Sequence, residues 1–523
     1  MNIKKRQVTF VHTESESFAV ELLSSIIKKK GHHVSLVFDY RLFDSSEIKN
    51  STFKNIFDLS DILVKQTVAT KPDLVCFSAF TYNYQWALGI ARLIKEQLPN
   101  VTTVFGGIHP TLMPELVINN DCVDVVCVGE GEEALPELVA KLGTNARFKI
   151  KNLWFKKGNL IIKNDPRPLL PDLNVIPLPD KDLFAPHHPI YNSGYALVAG
   201  RGCPYNCAFC CSNALKQASK TASGRYIRKR GVNHVIKELV WAKKKFNPPM
   251  VMFIDDVFVL DLNWLRDFVP KYKKLIGLPF NCDAHPAGVT RELVSLLKDA
   301  GCDLLIFGVQ SASERVRRDI LKRPETNDQI LKATRICREF NLNFTIDHIL
   351  NIPGDTNGEL REAICFYNLI RPTIINTFLL TYYPLTLIVE TAVKAKLLTA
   401  KDVRAINEGK TPTTYSLSLG GRRETVRNKN QKNLDQYIFW LNALPLFPQG
   451  VVNFMNDHGY MNKNFHPPVW LIVLVKFLIR LRIGRPFDTI YTINLLFKRM
   501  IIVLKLRYLM IPKQKYWLTD PIK

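Results

Sequence analysis

The chain has 523 residues, 47% hydrophobic and 23% charged, which is ordinary globular usage and excludes both a chain disordered throughout and a small disulfide scaffold. Its net charge of +24 is uneven: residues 1–150 hold 16 Lys+Arg against 17 Asp+Glu, whereas residues 401–523 hold 20 against 7. A neutral start and a surplus growing toward the C-terminus argue against a chain-wide nucleic-acid groove and for a local contact with an anionic membrane surface or an acidic substrate.

Residues 1–148 alternate strand and helix signals. Strands are predicted at Val8–Val11, Val34–Asp39, Asp73–Phe80, Val101–Phe105 and Val123–Val128, and helices at Phe18–Lys30, Trp86–Gln97 and Ala134–Leu142. Near-continuous apolar strands separated by helices indicate a parallel, doubly wound, Rossmann-like sheet in an α/β chain. Residues 149–194 read as a connector with seven prolines between Pro166 and Pro189 and a hairpin signal at Leu153–Ile162 around Gly158. Residues 195–390 resume the alternation, with strands predicted at Ala196–Val198, Met250–Ile254, Phe280–Asp283, Leu304–Val309, Phe344–Leu350 and Thr377–Tyr382. Six βα repeats in one run suggest a partial (β/α)6 barrel of TIM type. Residues 391–523 read as helical and basic, with amphipathic stretches at Val469–Arg482 and Tyr491–Leu509. The strongest apolar run, Val469 to Leu481, is broken by Lys476 and Arg480, so no transmembrane helix is expected.

Eleven cysteines, an odd number, and a basic start that runs into Val-Thr-Phe-Val-His-Thr-Glu rather than an apolar signal core predict a reducing cytosol, where clustered cysteines read as metal or catalytic sites. The segment Arg201-Gly202-Cys203-Pro204-Tyr205-Asn206-Cys207-Ala208-Phe209-Cys210-Cys211 follows a predicted strand, which places it on the catalytic face of a βα barrel. Cys203, Cys207 and Cys210 have the spacing C-x3-C-x2-C. Three thiolates on one short loop suit a [4Fe–4S] cube with one iron left open for catalysis. A structural zinc site is the rival reading, but it needs four closed ligands, and Cys211 adjoins Cys210 too closely to share the centre.

This loop resembles the defining motif of the radical S-adenosylmethionine superfamily, and flanking elements resemble it in the same order. The resemblance implies that Phe209 lies at the cofactor and that Asp255 and Asp256, at the second strand end, meet the methionine amino group. It further implies that Gln310 and Ser311, at the fourth strand end, approach the ribose or carboxylate, and that the turn at Gly354 is the adenine side. A structural alternative for Asp255 and Asp256 is helix capping. The end of the sixth strand, Tyr383-Pro384-Leu385-Thr386, departs from the Gly-Thr-Pro turn of many relatives.

Residues 6–143 resemble the cobalamin-binding domain that precedes this barrel in one subclass. Ser78, the pair Gly106-Gly107 with His109, and Gly129-Glu130-Gly131-Glu132 carry that likeness; it implies cobalamin contacts from Ser78, Gly106, Gly107, His109, Glu130 and Gly131. The physical reason for the glycines is close approach of a flat ligand to strand ends, where a Cβ would obstruct. Asp283-Ala284-His285-Pro286-Ala287-Gly288 matches the Asp-x-His-x-x-Gly of cobalt-ligating domains but lies in the barrel, and is read as coincidence.

The resemblance implies an enzyme holding a [4Fe–4S] cluster, S-adenosylmethionine and cobalamin. The cluster would cleave S-adenosylmethionine to a 5′-deoxyadenosyl radical. Methylation of an unactivated carbon in a small-molecule or lipid-like substrate follows as the first outcome. Oxidative cyclisation or rearrangement, as in tetrapyrrole cyclases, is the alternative. A tRNA methylthiotransferase would carry a second three-cysteine site, whereas residues 1–150 hold only Cys76, Cys122 and Cys127; a non-catalytic iron–sulfur protein would need four cysteines. The expected partners are the substrate and an electron donor such as flavodoxin or ferredoxin, with no nucleic acid. The expected location is cytoplasmic. The basic C-terminal helices either pack on the barrel with a solvated cationic face or dock peripherally on a membrane.

Overall fold

The structure, a computed structural model, describes residues 4–44, 51–187, 194–410, 434–462, 467–482 and 487–509. Stretch 411–433 of the basic tail, its final residues 510–523 and Pro189 of the connector lie outside the described residues.

The first sheet has seven strands: β1 (Gln7–Thr13), β2 (His33–Asp39), β3 (Leu74–Ser78), β4 (Thr102–Gly106), β5 (Val125–Cys127), β6 (Leu153–Lys157) and β7 (Leu160–Lys163). Their order is β2-β1-β3-β4-β5-β6-β7. The first five run parallel, and their residues are mostly buried because helices cover the faces of a parallel sheet. Helix Phe18–Lys29 starts where the Ser17 hydroxyl accepts from the Val20 amide, and it buries Val20 and Ile27. Strand order reverses between β1 and β3, which opens a crevice at the carboxyl ends of the strands. The hairpin β6–β7, expected in the connector, pairs antiparallel onto β5 and belongs to this sheet.

The second sheet is built from β8 (Tyr195–Leu197), β11 (Val251–Phe253), β12 (Phe280–Ala284), β13 (Cys302–Gln310), β14 (Asn343–Leu350) and β15 (Ile374–Leu379). A small antiparallel ladder, β9 (Gly200–Arg201) with β10 (Arg228–Lys229), sits beside it. The six strands are parallel and follow sequence order across the sheet, the pattern of right-handed βα crossovers in a partial barrel. The sixth strand begins three residues before its predicted place.

The tail divides between the two sheets. Helix Val469–Arg482 buries Ile472, Val475 and Ile479 in the barrel core, whereas helix Phe487–Leu504 places Val503 in the core of the first sheet, with Leu496 and Met500 against it. Polar ties also cross between the sheets. Lys181, 1% exposed, pairs with Glu16 at 3.2 Å and Glu21 at 3.0 Å, and its ammonium lies 5.2 Å from the ring centre of Tyr195 on β8.

Candidate functional site

The cysteine loop leaves β9 at Gly202, whose φ is +85° and whose Cβ, if present, would stand 2.6 Å from the Tyr226 carbonyl oxygen. Only glycine fits there. Cys203 and Cys210 are half-buried, Cys207 is buried, and all three are free thiols. The loop is pinned where the Ala208 amide donates to the Leu321 carbonyl at 2.8 Å. Arg323 donates to Cys207 Sγ at 3.3 Å.

Burial pushes Cys203 up to about 11, and Asp256 and the other two thiols add to the effect. Burial also raises Cys207, although the Arg323 guanidinium opposes it. A hydrogen bond from the Cys211 thiol draws Cys210 down to about 6. The three sulfurs therefore sense one another's charge, while among the described residues no three His, Cys, Asp or Glu gather as a site for one metal ion. Three soft donors on one loop fit a cluster that keeps one iron open. Helix Cys211–Ala218 begins immediately beyond them.

The acids expected near S-adenosylmethionine frame this loop. Asp255 is buried and accepts from the Ala199 amide at 2.9 Å; burial lifts it to about 6, against that bond and the charge of Lys229. Asp256 is exposed and accepts from the Ser212 hydroxyl at 2.9 Å. One carboxylate thus braces the strand before the cysteines and the other braces the helix after them. Gln310, at φ +68°, folds its amide over Gly308 at the end of β13. Ser311 is buried and accepts from the Ser313 amide at 3.3 Å. The Gly354 carbonyl accepts from Arg315, and Phe209 is half-buried against a small core that includes Ala208 and Ile388.

Sequence reasoning missed three members of this face because they come from separate segments, Lys229, Arg323 and Glu325, and it gave no role to Tyr205 within the loop. Burial lowers Lys229 to about 8, and its ammonium lies 4.0 Å from the ring centre of Trp264.

At the end of the first sheet, Ser78, Gly106 and Gly107 are all partly exposed. Gly107 has φ +100°, and its Cβ would meet the Ala79 carbonyl oxygen at 2.9 Å and the Ala79 nitrogen at 3.0 Å. Backbone crowding therefore demands this glycine before any ligand does. His109 departs from expectation. It is fully buried, its Nδ1 lies 3.2 Å from the Thr81 hydroxyl, its ring centre is 4.1 Å from that of Tyr84, and burial drops it to about 4. It belongs to the core beneath the strand end, and its buried Nε2 has no hydrogen-bond partner.

Glu130 has protein partners on three sides. It accepts from Arg201 at 2.8 Å, Arg228 at 2.7 Å and the Leu170 amide at 2.9 Å. Burial alone would raise this carboxyl, but the Arg228 bond, the Arg201 charge and the amide outweigh it and hold it at about 2. Glu132 bonds the other arm of Arg201. A Cβ on Gly131 would meet Leu23 and Cys127 only at ordinary contact distance, so the fold does not demand glycine there. This motif of the first sheet therefore grips the residue two positions before Cys203. The short helix Ile108–Leu112, which follows Gly107, packs against helix Cys211–Ala218. The glycine turn and the cysteine loop consequently face one another.

Residues 9–139 match the B12 binding domain family and residues 197–366 match the Radical SAM superfamily. An uncharacterized methyltransferase of Pyrococcus horikoshii is 28% identical over 333 residues, covering 62% of this chain and 71% of the relative. The anaerobic magnesium-protoporphyrin IX monomethyl ester cyclase of Cereibacter sphaeroides is 24% identical over 413 residues, 73% of this chain and 62% of its own. The cobalamin-dependent S-adenosylmethionine radical enzyme OxsB, solved with aqua-cobalamin bound, shares the fold with a TM-score of 0.62 at 16% identity, over 96% of this chain and 84% of that one.

Proposed function

The chain is a cobalamin-dependent radical S-adenosylmethionine enzyme, and on that premise we propose that it methylates an unactivated carbon of a small-molecule or lipid-like substrate. The observation that carries the reading is the meeting of the two faces: the helix after Gly107 packs on the helix after Cys210, and Glu130 and Glu132 hold Arg201. A methyl carrier on one face and a radical source on the other would then share one space. When bound, the cluster supplies the electron that splits S-adenosylmethionine, and the cobalamin carries the methyl group.

The chain's own residues divide the remaining work. Cys203, Cys207 and Cys210 would hold the cluster. Asp256, Gln310, Gly354 and Phe209 present surface at the strand ends, where S-adenosylmethionine would lie. Ser78, Gly106 and Gly107 would receive the cobalamin. In this reading residues 1–163, with the hairpin included, and 195–390 act as the two cofactor domains, and an iron–sulfur or flavin protein delivers the electron.

Anaerobic assays with methyl-labelled S-adenosylmethionine against lipid, tetrapyrrole and peptide pools test the reading. Label in a product together with 5′-deoxyadenosine is expected. Deoxyadenosine without label transfer would favour cyclisation or rearrangement.

A hydrophobic substrate would suit a membrane contact, and helix Val469–Arg482 supports one. Trp470, Leu474, Leu478 and Leu481 form an exposed stripe at helical spacing, with Arg482 exposed beside it. Among the described residues no helix is long and apolar enough to cross a membrane. On the second basic helix Phe497 and Ile501 are exposed, while Val503 is buried against the first sheet and Arg499 donates to the Glu14 carbonyl. Co-sedimentation with anionic vesicles at low but not high salt is expected. No sedimentation at low salt would leave the stripe without a lipid role.

A further inference from the structure

The segment Asp283–Gly288, a chance match by its sequence, has a defined place beside the cysteine loop. His285 follows β12 directly, capping the turn Pro286–Gly288, and is buried. Its Nδ1 accepts from the Ala287 amide at 3.3 Å, which leaves the ring proton on Nε2. Nε2 lies 3.2 Å from Glu325 Oε2, within ion-pair distance but outside hydrogen-bond geometry, and both atoms are buried with no hydrogen-bond partner. The other oxygen of Glu325 accepts from Arg323 Nε at 2.6 Å. Arg323 then donates one arm to Cys207 Sγ at 3.3 Å and the other to the Gly308 carbonyl. The imidazole also stacks on Tyr205, between Cys203 and Cys207, with ring centres 3.8 Å apart and planes 14° from parallel.

The support behind this chain is rigid. Arg317 is fully buried and donates to the Ser311 carbonyl at 2.6 Å, the Glu325 carbonyl at 3.1 Å and Asn327 at 2.6 Å. Glu325 itself is buried, so its orientation is set by protein groups alone. A guanidinium is a fork of fixed donors. With Nε tied to Glu325 and one terminal arm tied to Gly308, the remaining arm has one direction to point, and that direction is Cys207. Hydrogen bonds to ligand sulfurs and local positive charge are among the levers that set iron–sulfur potentials.

We propose that His285, Glu325 and Arg323 are positioning residues that aim one charged N–H at the Cys207 sulfur and thereby raise the reduction potential of the cluster. The inference rests on Cys207 being a cluster ligand. An N–H donor withdraws electron density from the thiolate and favours the reduced cluster, which carries one more negative charge. His285 acts at the far end by fixing the Glu325 carboxylate, and through its stack it also holds the loop between two of the cysteines.

The test is a redox titration of the reconstituted full chain, followed by the paramagnetic signal of the reduced cluster and performed without S-adenosylmethionine. The variants are Arg323→Gln, Arg323→Lys and His285→Phe, each first assayed for iron. His285→Phe keeps a ring against Tyr205 and removes the Nε2 proton. Arg323→Gln should lower the ratio of reduced to oxidised cluster about tenfold at a fixed ambient potential, which for a one-electron couple is about 59 mV. Arg323→Lys should recover part of the shift, and His285→Phe should show a smaller shift in the same direction. If Arg323→Gln loads no iron, His285→Phe decides. Unchanged ratios in iron-replete variants would overturn the proposal, as would loss of iron in all three. A wild-type chain that holds no cluster would instead overturn the ligand assignment of Cys203, Cys207 and Cys210.

Discussion

Replacing Glu130 by Gln removes the charge at the centre of the contact between the two sheets. The carboxyl is held at about 2 instead of its ordinary 4.5, and at about 1.4 kcal/mol per tenfold change in proton affinity that corresponds to about 3 kcal/mol, an upper figure for a group still 21% exposed. Because the folded value is depressed, this contribution is complete above pH 4.5 and is lost as pH falls toward about 2. Urea unfolding of the apo chain at pH 7 should therefore show Glu130→Gln to be weaker by about 1–3 kcal/mol, with two arginines left facing a neutral amide. The difference from wild type should shrink as pH falls below 4.5. A double-mutant cycle with Arg228→Gln should return a coupling on the order of 1–3 kcal/mol, since the two groups are in contact. In the loaded enzyme the same variant should keep its iron and still form deoxyadenosine, but transfer fewer methyl groups per deoxyadenosine, because the faces lose their fixed separation. Equal urea midpoints at pH 7, or a difference that grows on acidification, would refute the argument.

Three other outcomes follow from the same geometry. Cys203→Ala, Cys207→Ala and Cys210→Ala should each abolish the broad iron–sulfur absorbance and deoxyadenosine formation, whereas Cys211→Ala should keep nearly full iron by chemical assay. Gly107→Ala should cost about 1–3 kcal/mol in a thermal melt, from positive φ and contact with the Ala79 backbone, and should weaken hydroxocobalamin binding in a spectral titration. Lys181→Met, which strands Glu16 and Glu21, should destabilise by about 3–5 kcal/mol in urea unfolding.

Much of the architecture was legible because its signals are local. Parallel strands such as β1 and β3 are buried along nearly their whole length and carry apolar stretches, Val8–Val11 broken only by Thr9 and Leu74–Phe77 unbroken, and the cysteine loop declares itself by spacing within eight residues. The hairpin at Leu153–Ile162 was legible as a hairpin but not as part of the first sheet, since nothing in it names β5 as its neighbour. The ties of Glu130 to Arg201 and Arg228 were not legible, because those partners lie 71 and 98 residues away. His285 looked accidental for the same reason: its meaning depends on Tyr205 and Glu325, which only the folded barrel brings to it. The tail's amphipathic pattern announced buried faces without saying that they would be divided between two different cores.

That division has a consequence for synthesis. The first sheet is spelled out by residue 163, yet Val503, which completes its core, follows about 340 residues later. At 5–20 residues per second the ribosome needs roughly 20–70 s to cover that interval. Throughout it, the nascent first domain carries a bare apolar patch while the barrel is still being made. A chaperone that shields this patch would act before the enzyme has any cofactor to protect. A chain truncated before the second tail helix would prolong the exposure indefinitely, so its poor recovery from cells would signal an uncovered sheet rather than an intrinsically unstable one.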